Sequence, residues 1–364
     1  MTEAHLKLGT KPSKEINTDK DVIDADVTAL LHWYDIHGRD LPWRRRWPDL
    51  APAYHVFLSE LMLQQTVVAT VIPYFARFTE RWPNLSALAA SPVEDVLEAW
   101  SGLGYYARAR NMHKAAQILT SDYNGTFPDT AELLIKLPGI GPYTAGAIAA
   151  FAFDKPAIVI DGNIERVLSR YFGIGTELPA LKADIAAIYP EMIPATRRSD
   201  FPQALMDLAS QICQPKKAGC DICPLSHSCV ASRWNDPTIL PVKPAKTPKP
   251  VRVGKAFVLC NEDGDVAVFR RAETGLLGGT LAFPSSGWDK SSPEFDWLEG
   301  ATLQAKAPIT HVFTHFRADI EVFQIEWQKQ TSLPEPFFWT SSTTALPSLM
   351  AKILKSALND QGRN

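Results

Sequence analysis

Four of the chain's five cysteines fall within seventeen residues, CQPKKAGCDICPLSHSC at positions 213–229. A fold that contains this stretch must bring four thiols together in one loop, as a disulfide staple, a zinc site or an iron–sulfur cluster. The N-terminus, MTEAHLKLGTKPSKEINTDKD, is polar and has none of the apolar character of a signal peptide. It reads as a disordered lead, residues 1–23, of a cytoplasmic protein. Persistent disulfides are rare in that compartment, which removes the staple. Zinc ribbons usually present two separated Cys-x-x-Cys knuckles. Here only Cys220 and Cys223 form such a pair; six residues separate it from Cys213 and five from Cys229. One loop curled around a bulky centre suits a four-iron cubane on Cys213, Cys220, Cys223 and Cys229. His227 is then not needed as a ligand. Cys260, in the apolar run AFVLC, reads as a small buried hydrophobe.

The chain is 364 residues long with 46% hydrophobic and 21% charged residues, enough to bury the cores of two domains. No segment approaches the run of about twenty apolar residues that a membrane span needs, so no membrane partner is expected. Residues 24–234 read as helices joined by Gly and Pro, with few strand signals. AYHVFLSELMLQQTVVATVIPYF (53–75) predicts one long, largely buried helix, and further helices are predicted at 91–104, 107–120, 130–136, 142–153, 163–172 and 202–212. NDPTILPVKPAKTPKP has five prolines and three lysines and predicts a stiff linker, residues 235–252. Beyond it, residues 253–360 predict an α+β domain. VRVGKAFVLCNEDGDVAVFRR reads as a hairpin around NEDGD, 311–327 as a strand pair, and SLMAKILKSAL as an amphipathic helix. A net charge of −3 gives no global sign of nucleic acid, so any DNA grip must rest on local patches: Arg44–Arg46, Arg108 with Arg110, and Lys216 with Lys217.

Two motifs bear on chemistry. In LPGIGPYTAGAIAAF (137–151), Gly139 and Gly141 allow a tight turn and let backbone N–H groups approach an anion, with the next helix adding its N-terminal dipole. An ordinary corner between helices would also favour these residues. In AIVIDGNIERVLSRYFGI (157–174), Asp161 ends an apolar run where a helix begins, a position at which free N–H groups keep a carboxylate ionised. A plain helix cap is the bland alternative. Glu60 sits in FLSELMLQQT among Leu58, Leu61, Met62 and Leu63, where loss of water raises a carboxyl's pKa. Two carboxyls pushed in opposite directions suit an acid paired with an electrostatic stabiliser.

The cysteine spacing resembles that of the endonuclease III superfamily, and LPGIG before an Ala-rich helix resembles the helix-hairpin-helix DNA-binding element. Over nearly its full length the chain resembles MutY-type adenine DNA glycosylases, through RDLPWR, SELMLQQT, GLGYYARARN, LPGIGPYTAGAI, VIDGNIERVLSR and the cysteine loop. The resemblance implies an all-α helix-hairpin-helix glycosylase domain (24–234) with a [4Fe-4S] loop, followed by an α+β MutT-like (Nudix-fold) domain. Glu60 matches the catalytic acid and Asp161 the carboxylate that stabilises the sugar cation. Tyr143 and Asn163 match polar residues that position the reacting centre. Arg39, Leu41, Trp43, Arg44 and Leu63 fall on stretches that line the adenine pocket, and Gln203 falls at another variable pocket position, where some relatives carry Glu. Gln65 and Tyr105 match residues that enter the base stack, and Gly139 and Gly141 the phosphate grip.

Bifunctional relatives carry a nucleophilic lysine where Tyr143 stands, so a lyase step is not expected. Phe313, Thr314 and His315 fall on a loop usually reading Phe-Ser-His, and Leu281 stands where Trp is common. That domain lacks a Glu-rich hydrolase signature. The implied activity is hydrolytic removal of adenine opposite 8-oxoguanine or guanine in duplex DNA, by a nucleoid-associated monomer that initiates base excision repair. Two other readings are weaker. A bifunctional pyrimidine-lesion glycosylase conflicts with Tyr143 and the extra domain, and a non-catalytic iron–sulfur regulator leaves Glu60 and Asp161 without a purpose.

Overall fold

The computed structural model describes residues 19–245, 247–289, 295–327, 332–344 and 346–359. These fall into two compact units, one of Met1–Ala89 with Lys114–Ala245, the other of Ala90–His113 with Lys246–Asn364.

The helices in chain order are α1 (Lys20–His37), α2 (Ala53–Leu63), α3 (Val68–Arg81), α4 (Leu85–Ala90), α5 (Val93–Ala99), α6 (Ala107–Asp122), α7 (Ala131–Leu134), α8 (Pro142–Phe153), α9 (Gly162–Phe172), α10 (Leu181–Met192) and α11 (Asp200–Gln211). The unit boundaries cut α4 after Ala89 and α6 after His113. The centre of the first unit is α8, buried at every residue from Thr144 to Ala152. Its sequence is mostly Ala and Gly, so neighbouring backbones can approach it closely on all sides. At Gly146 an added Cβ would lie 2.3 Å from the Ile158 carbonyl oxygen. α2 packs on α8, and α11 packs on both α9 and α1.

Several sequence expectations change here. Most of the expected disordered lead, residues 1–18, lies outside the described residues, but α1 already begins at Lys20, capped by the Asp19 side chain. The single helix expected over 53–75 is two, broken at Gln64–Val67, with Gln65 in the left-handed region at φ 58°. α4 and α10 were not anticipated. The start of the expected linker is docked: Leu178 N–H donates to the Val242 carbonyl, and Arg170 Nε donates to the Leu240 carbonyl at 2.9 Å.

The second unit holds a sheet of strands β1 (Val251–Cys260), β2 (Asp265–Arg270), β3 (Leu281–Ala282), β4 (Ser285–Ser286), β5 (Gln304–Val312), β6 (Arg317–Glu326) and β7 (Phe338–Ser341), with α12 (Ser348–Leu358). The strand order is β3-β2-β1-β6-β5, with β4 added to β1 and β7 to β2. β1 and β6 run parallel over ten residues, from the Val251–Arg317 pair to Cys260–Glu326. The NEDGD turn joins β1 and β2 as expected, with Asn261 Oδ1 accepting from the backbone of Asp263 and Asp265. The second strand pair begins seven residues earlier than 311, because β5 starts at Gln304. Leu349, Met350 and Ile353 of α12 pack with Val258, Val268 and Ile320 in the main core. Among the described residues no helix is long and apolar enough to cross a membrane.

Gly146→Ala is expected to destabilise the protein by about 1–3 kcal/mol through overpacking against Ile158, read as a lower thermal unfolding midpoint with unchanged helix content.

Candidate active site

Glu60 lies on α2 and is 5% exposed, one turn from the helix end. Burial pushes its carboxyl up to about 7; a hydrogen bond from Tyr143 and the charge of Arg44 oppose that rise, and Asp161 adds to it. Tyr143 lies in the first turn of α8, directly after the hairpin turn, and its own hydroxyl is pushed well up by the same burial and by Glu60. The hairpin matches the sequence reading: Gly139 has φ 77°, Ile140 is buried and Gly141 caps α8. Gln64 Nε2 reaches Thr144 Oγ1 at 3.3 Å and fastens the end of α2 to this helix.

Asp161 is the N-cap of α9. Its Oδ1 accepts from the backbone N–H groups of Asn163 (3.0 Å) and Ile164 (2.8 Å), and its Oδ2 from Asn163 Nδ2 (2.7 Å). The bland reading of a helix cap is therefore fulfilled, and the same carboxylate also bears electrostatically on Glu60 and Tyr143. Of the four residues read as the reacting centre, Glu60 and Tyr143 share a hydrogen bond, Asp161 acts on both through its charge, and Asn163 bonds to Asp161.

On the 39–47 segment, Leu41 and Trp43 are buried, Trp43 edge-on to Phe75; Leu63, the last residue of α2, is half-buried. Arg39 and Arg44 both engage Asp207, a fully buried residue of α11. Gln203 is also buried on α11, where its amide donates to the Ser199 carbonyl at 2.7 Å. Gln65 is exposed, at its left-handed backbone.

α9 also connects Asp161 to the cysteine loop. Arg166 Nη2 donates to Asn163 Oδ1 (3.1 Å) and to the Ala209 carbonyl (2.9 Å), while its Nε donates to the Cys213 carbonyl (2.8 Å). One turn on, buried Arg170 places Nη1 3.3 Å from Cys213 Sγ and 2.9 Å from the Gln214 carbonyl. Cys213, Cys220, Cys223 and Cys229 all line one cavity beside Arg170. Burial pushes the Cys223 and Cys229 thiols up to about 12 and about 11. Among the described residues no three His, Cys, Asp or Glu side chains are arranged to hold a single metal ion. The four thiols thus face one shared cavity, with the Arg170 guanidinium against Cys213.

The second unit holds the other residues singled out. Tyr105 is 53% exposed, with φ 49°. Its hydroxyl lies 3.1 Å from Thr314 Oγ1 although 209 positions separate the two residues in sequence. The Phe313–Phe316 turn closes through Phe313 N–H to the Phe316 carbonyl (2.8 Å), and Phe313 stacks on Phe316 and on buried Trp288. Thr314 and His315 are exposed at its tip.

Sequence reasoning missed Asp207, Arg166 and Arg170. Each left a signal: an acid between buried Ala204 and Leu208 of α11, and two arginines four apart on the inward face of α9.

The HhH-GPD superfamily base excision DNA repair profile matches residues 58–187, and a NUDIX domain profile matches 255–356. A thermostable thymine-DNA glycosylase structure superposes with a TM-score of 0.51 at 26% identity, covering 58% of this chain and 96% of that one. A helix-hairpin-helix base excision repair protein carrying a Nudix-type domain is the class so defined. The human adenine DNA glycosylase is 31% identical, covering 91% of this chain and 74% of its own. That of Buchnera aphidicola subsp. Baizongia pistaciae is 43% identical, covering 79% and 81%. The chain belongs to the adenine DNA glycosylase family, hydrolases that act on N-glycosyl bonds.

Tyr143→Phe removes a donor that favours the charged form of Glu60. Its carboxyl is therefore expected to titrate higher than in wild-type protein, above about 7, as read by carboxyl-carbon NMR across the pH range.

Proposed function

We propose that this protein flips adenine out of duplex DNA where it is mispaired with 8-oxoguanine or guanine and cleaves its N-glycosidic bond with water, as the first step of base excision repair. The observation that carries the reading is the environment of Glu60, an acid kept half-protonated near neutral pH beside an Asp161 carboxylate held by three N–H donors.

Adenine is a poor leaving group as an anion. Glu60 donates its proton to the base, at N7 of the ring, so that a neutral purine departs; acid catalysis of this kind is worth about 10²–10⁴ in rate. The sugar left behind carries oxocarbenium character, and the Asp161 carboxylate stabilises it while Asn163 fixes the carboxylate's direction. Tyr143 positions Glu60. With a tyrosine in place of an amine nucleophile, water is the final acceptor and the enzyme is monofunctional.

Arg39, Leu41, Trp43, Arg44, Leu63 and Gln203 form the pocket for the extruded base, and Gln65 and Tyr105 occupy the space it leaves in the stack. The 137–141 hairpin grips phosphate without regard to sequence. Thr314, held to Tyr105, and His315 read the opposing 8-oxoguanine, with Phe313 anchoring their turn. The protein acts on DNA in the cytoplasm, as a monomer.

Cys213, Cys220, Cys223 and Cys229 hold a [4Fe-4S] cluster, whose iron–thiolate bonds, when bound, tie residues 213–229 into one loop. Anaerobically prepared protein is expected to contain about four irons with equivalent sulfide. Stoichiometric zinc without sulfide would overturn the cluster assignment.

Incubation with labelled duplexes carrying adenine opposite 8-oxoguanine tests the function. Wild-type protein is expected to release adenine, with a rate that falls as pH rises through the Glu60 value of about 7, because the acid must hold its proton. Glu60→Gln is expected to bind the mispair but to lose at least about 10²-fold in single-turnover rate. Near-normal rates in that variant would remove Glu60 from the mechanism.

A further inference from the structure

Within the second unit, two side chains of the segment 105–110 reach loops of the sheet. The Tyr105 hydroxyl lies 3.1 Å from Thr314 Oγ1, on the turn between β5 and β6. Arg110, in the first turn of α6, reaches the loop between β2 and β3. Its Nη1 donates to the Gly278 carbonyl at 2.6 Å and its Nη2 to the Glu273 carbonyl at 2.8 Å. The sequence places Arg110 with Arg108 in a candidate patch for DNA, but both guanidinium groups are turned to backbone. Arg108 Nη2 donates to the Leu103 and Gly104 carbonyls at 3.0 and 3.1 Å.

The β2–β3 loop, which contains the GLLGG stretch, is shaped around the Arg110 guanidinium. Gly275, Leu277 and Gly279 have φ of 89°, 55° and 72°, and the loop closes through Gly278 N–H to the Gly275 carbonyl and Gly279 N–H to the Ala272 carbonyl. Arg271 Nε donates to the Leu276 carbonyl, Thr280 Oγ1 to that of Leu277 and Arg270 Nη1 to that of Gly279. The Glu273 and Gly278 carbonyls go to Arg110. A Cβ at Gly279 would stand 2.8 Å from Arg110 Nη1, so glycine there serves both the backbone and the space that the guanidinium fills. Arg108 N–H donates to the Tyr105 carbonyl (2.9 Å) and Arg110 N–H to that of Tyr106 (3.1 Å). Tyr105 and Arg110 therefore stand on one run of helical hydrogen bonds.

A planar fork bonded to two fixed carbonyls resists rotation as well as translation, which a single contact between two hydroxyls does not. We propose that Arg110 is a positioning residue for lesion specificity: seated in the β2–β3 loop, it holds Tyr105 in register with Thr314 and so sets the preference for 8-oxoguanine over guanine opposite the target adenine. The inference rests on the reading of Tyr105 as a stack residue and Thr314 as a reader of the opposing base.

Arg110→Met keeps the apolar stem and removes every donor, while Arg110→Lys keeps the charge but cannot span two carbonyls. With sub-saturating enzyme and labelled duplexes carrying adenine opposite 8-oxoguanine or guanine, each is expected to lower the ratio of the two excision rates about tenfold. Gly279→Ala crowds the guanidinium from the opposite side and is expected to lower the ratio likewise, and combining it with Arg110→Met to add little. In a Tyr105→Ala background Arg110→Met is expected to leave the ratio unchanged, because it acts through Tyr105. A wild-type ratio in Arg110→Met or Arg110→Lys would overturn the proposal. So would an equal loss on both duplexes with a shallower salt dependence, the mark of a phosphate contact. Hydrogen exchange reads the seating without turnover: amides of 103–106 and 273–279 are expected to exchange faster in Arg110→Met. If wild-type protein excises no adenine, or excises it without preference, the functional reading fails, while exchange unmoved by Arg110→Met would separately overturn the role of Arg110. Should Arg110→Met not fold, Gly279→Ala decides, and a wild-type ratio in it would refute the proposal.

Discussion

Removing the Glu60 carboxyl from water sets the terms for everything around it. Its rise from the ordinary 4.5 to about 7 corresponds to about 3 kcal/mol of disfavoured ionisation. Between those two values the folded protein binds more protons than the unfolded chain, so stability falls as pH rises through that window, and the full penalty applies above it. A protein with a typical margin of about 5–15 kcal/mol can tolerate this only if the surrounding helices are otherwise well packed. The small-residue helix α8, buried along nearly its whole length, gives that packing and carries Tyr143 at its start. The tyrosine limits the rise, since its hydrogen bond favours the charged form that burial opposes.

Asp161 is held by the means a helix already provides. Capping is a local bond between a side chain and the first backbone N–H groups, worth about 1 kcal/mol in an ordinary helix. Here the capping carboxylate has a second oxygen, which Asn163 holds at 2.7 Å, and Asn163 is held in turn by Arg166. Arg166 and Arg170 leave the same helix one turn apart and reach the backbone and sulfur of Cys213. The orientation of the carboxylate and the seating of the cysteine loop are thus two ends of one hydrogen-bonded strut.

How much of this was legible depended on whether a residue's role is local. The hairpin, the cap at Asp161 and the start of α9 follow from neighbours in sequence, and the structure has them where the glycines and the Asp-Gly-Asn triplet indicate. Glu60 was legible because its whole neighbourhood is apolar, so its burial followed from the helix containing it. Asp207, Arg166 and Arg170 were not: each acquires its role from a partner between 43 and 168 positions away, and composition alone makes a helical Asp or Arg a surface residue. The docking of 237–242 was hidden for the same reason, since five prolines describe a stiff segment without saying that Arg170 will hold its carbonyl. Tyr105 and Thr314 likewise meet only through the fold of the second unit.

The break between α2 and α3 shows where local preference was overruled. Residues 53–75 contain no glycine, and Pro73, near the end, is the one residue there without an N–H for a continuous helix. The chain instead stops at Leu63 and places Gln65 at φ 58°, a conformation that costs a non-glycine residue of order 1–3 kcal/mol. Tyr105, after two glycines that themselves have positive φ, sits at φ 49° for the same order of cost. Both side chains are exposed, so neither cost is recovered by burying the residue that bears it. A glycine at either position would relieve the backbone but would present nothing to solvent. At Tyr105 the strained turn sets the hydroxyl 3.1 Å from Thr314 Oγ1 and the ring under the Arg108 guanidinium. At each of these two turns the exposed side chain brings a hydrogen-bonding group, an amide at Gln65 and a phenol at Tyr105, that a glycine would lack.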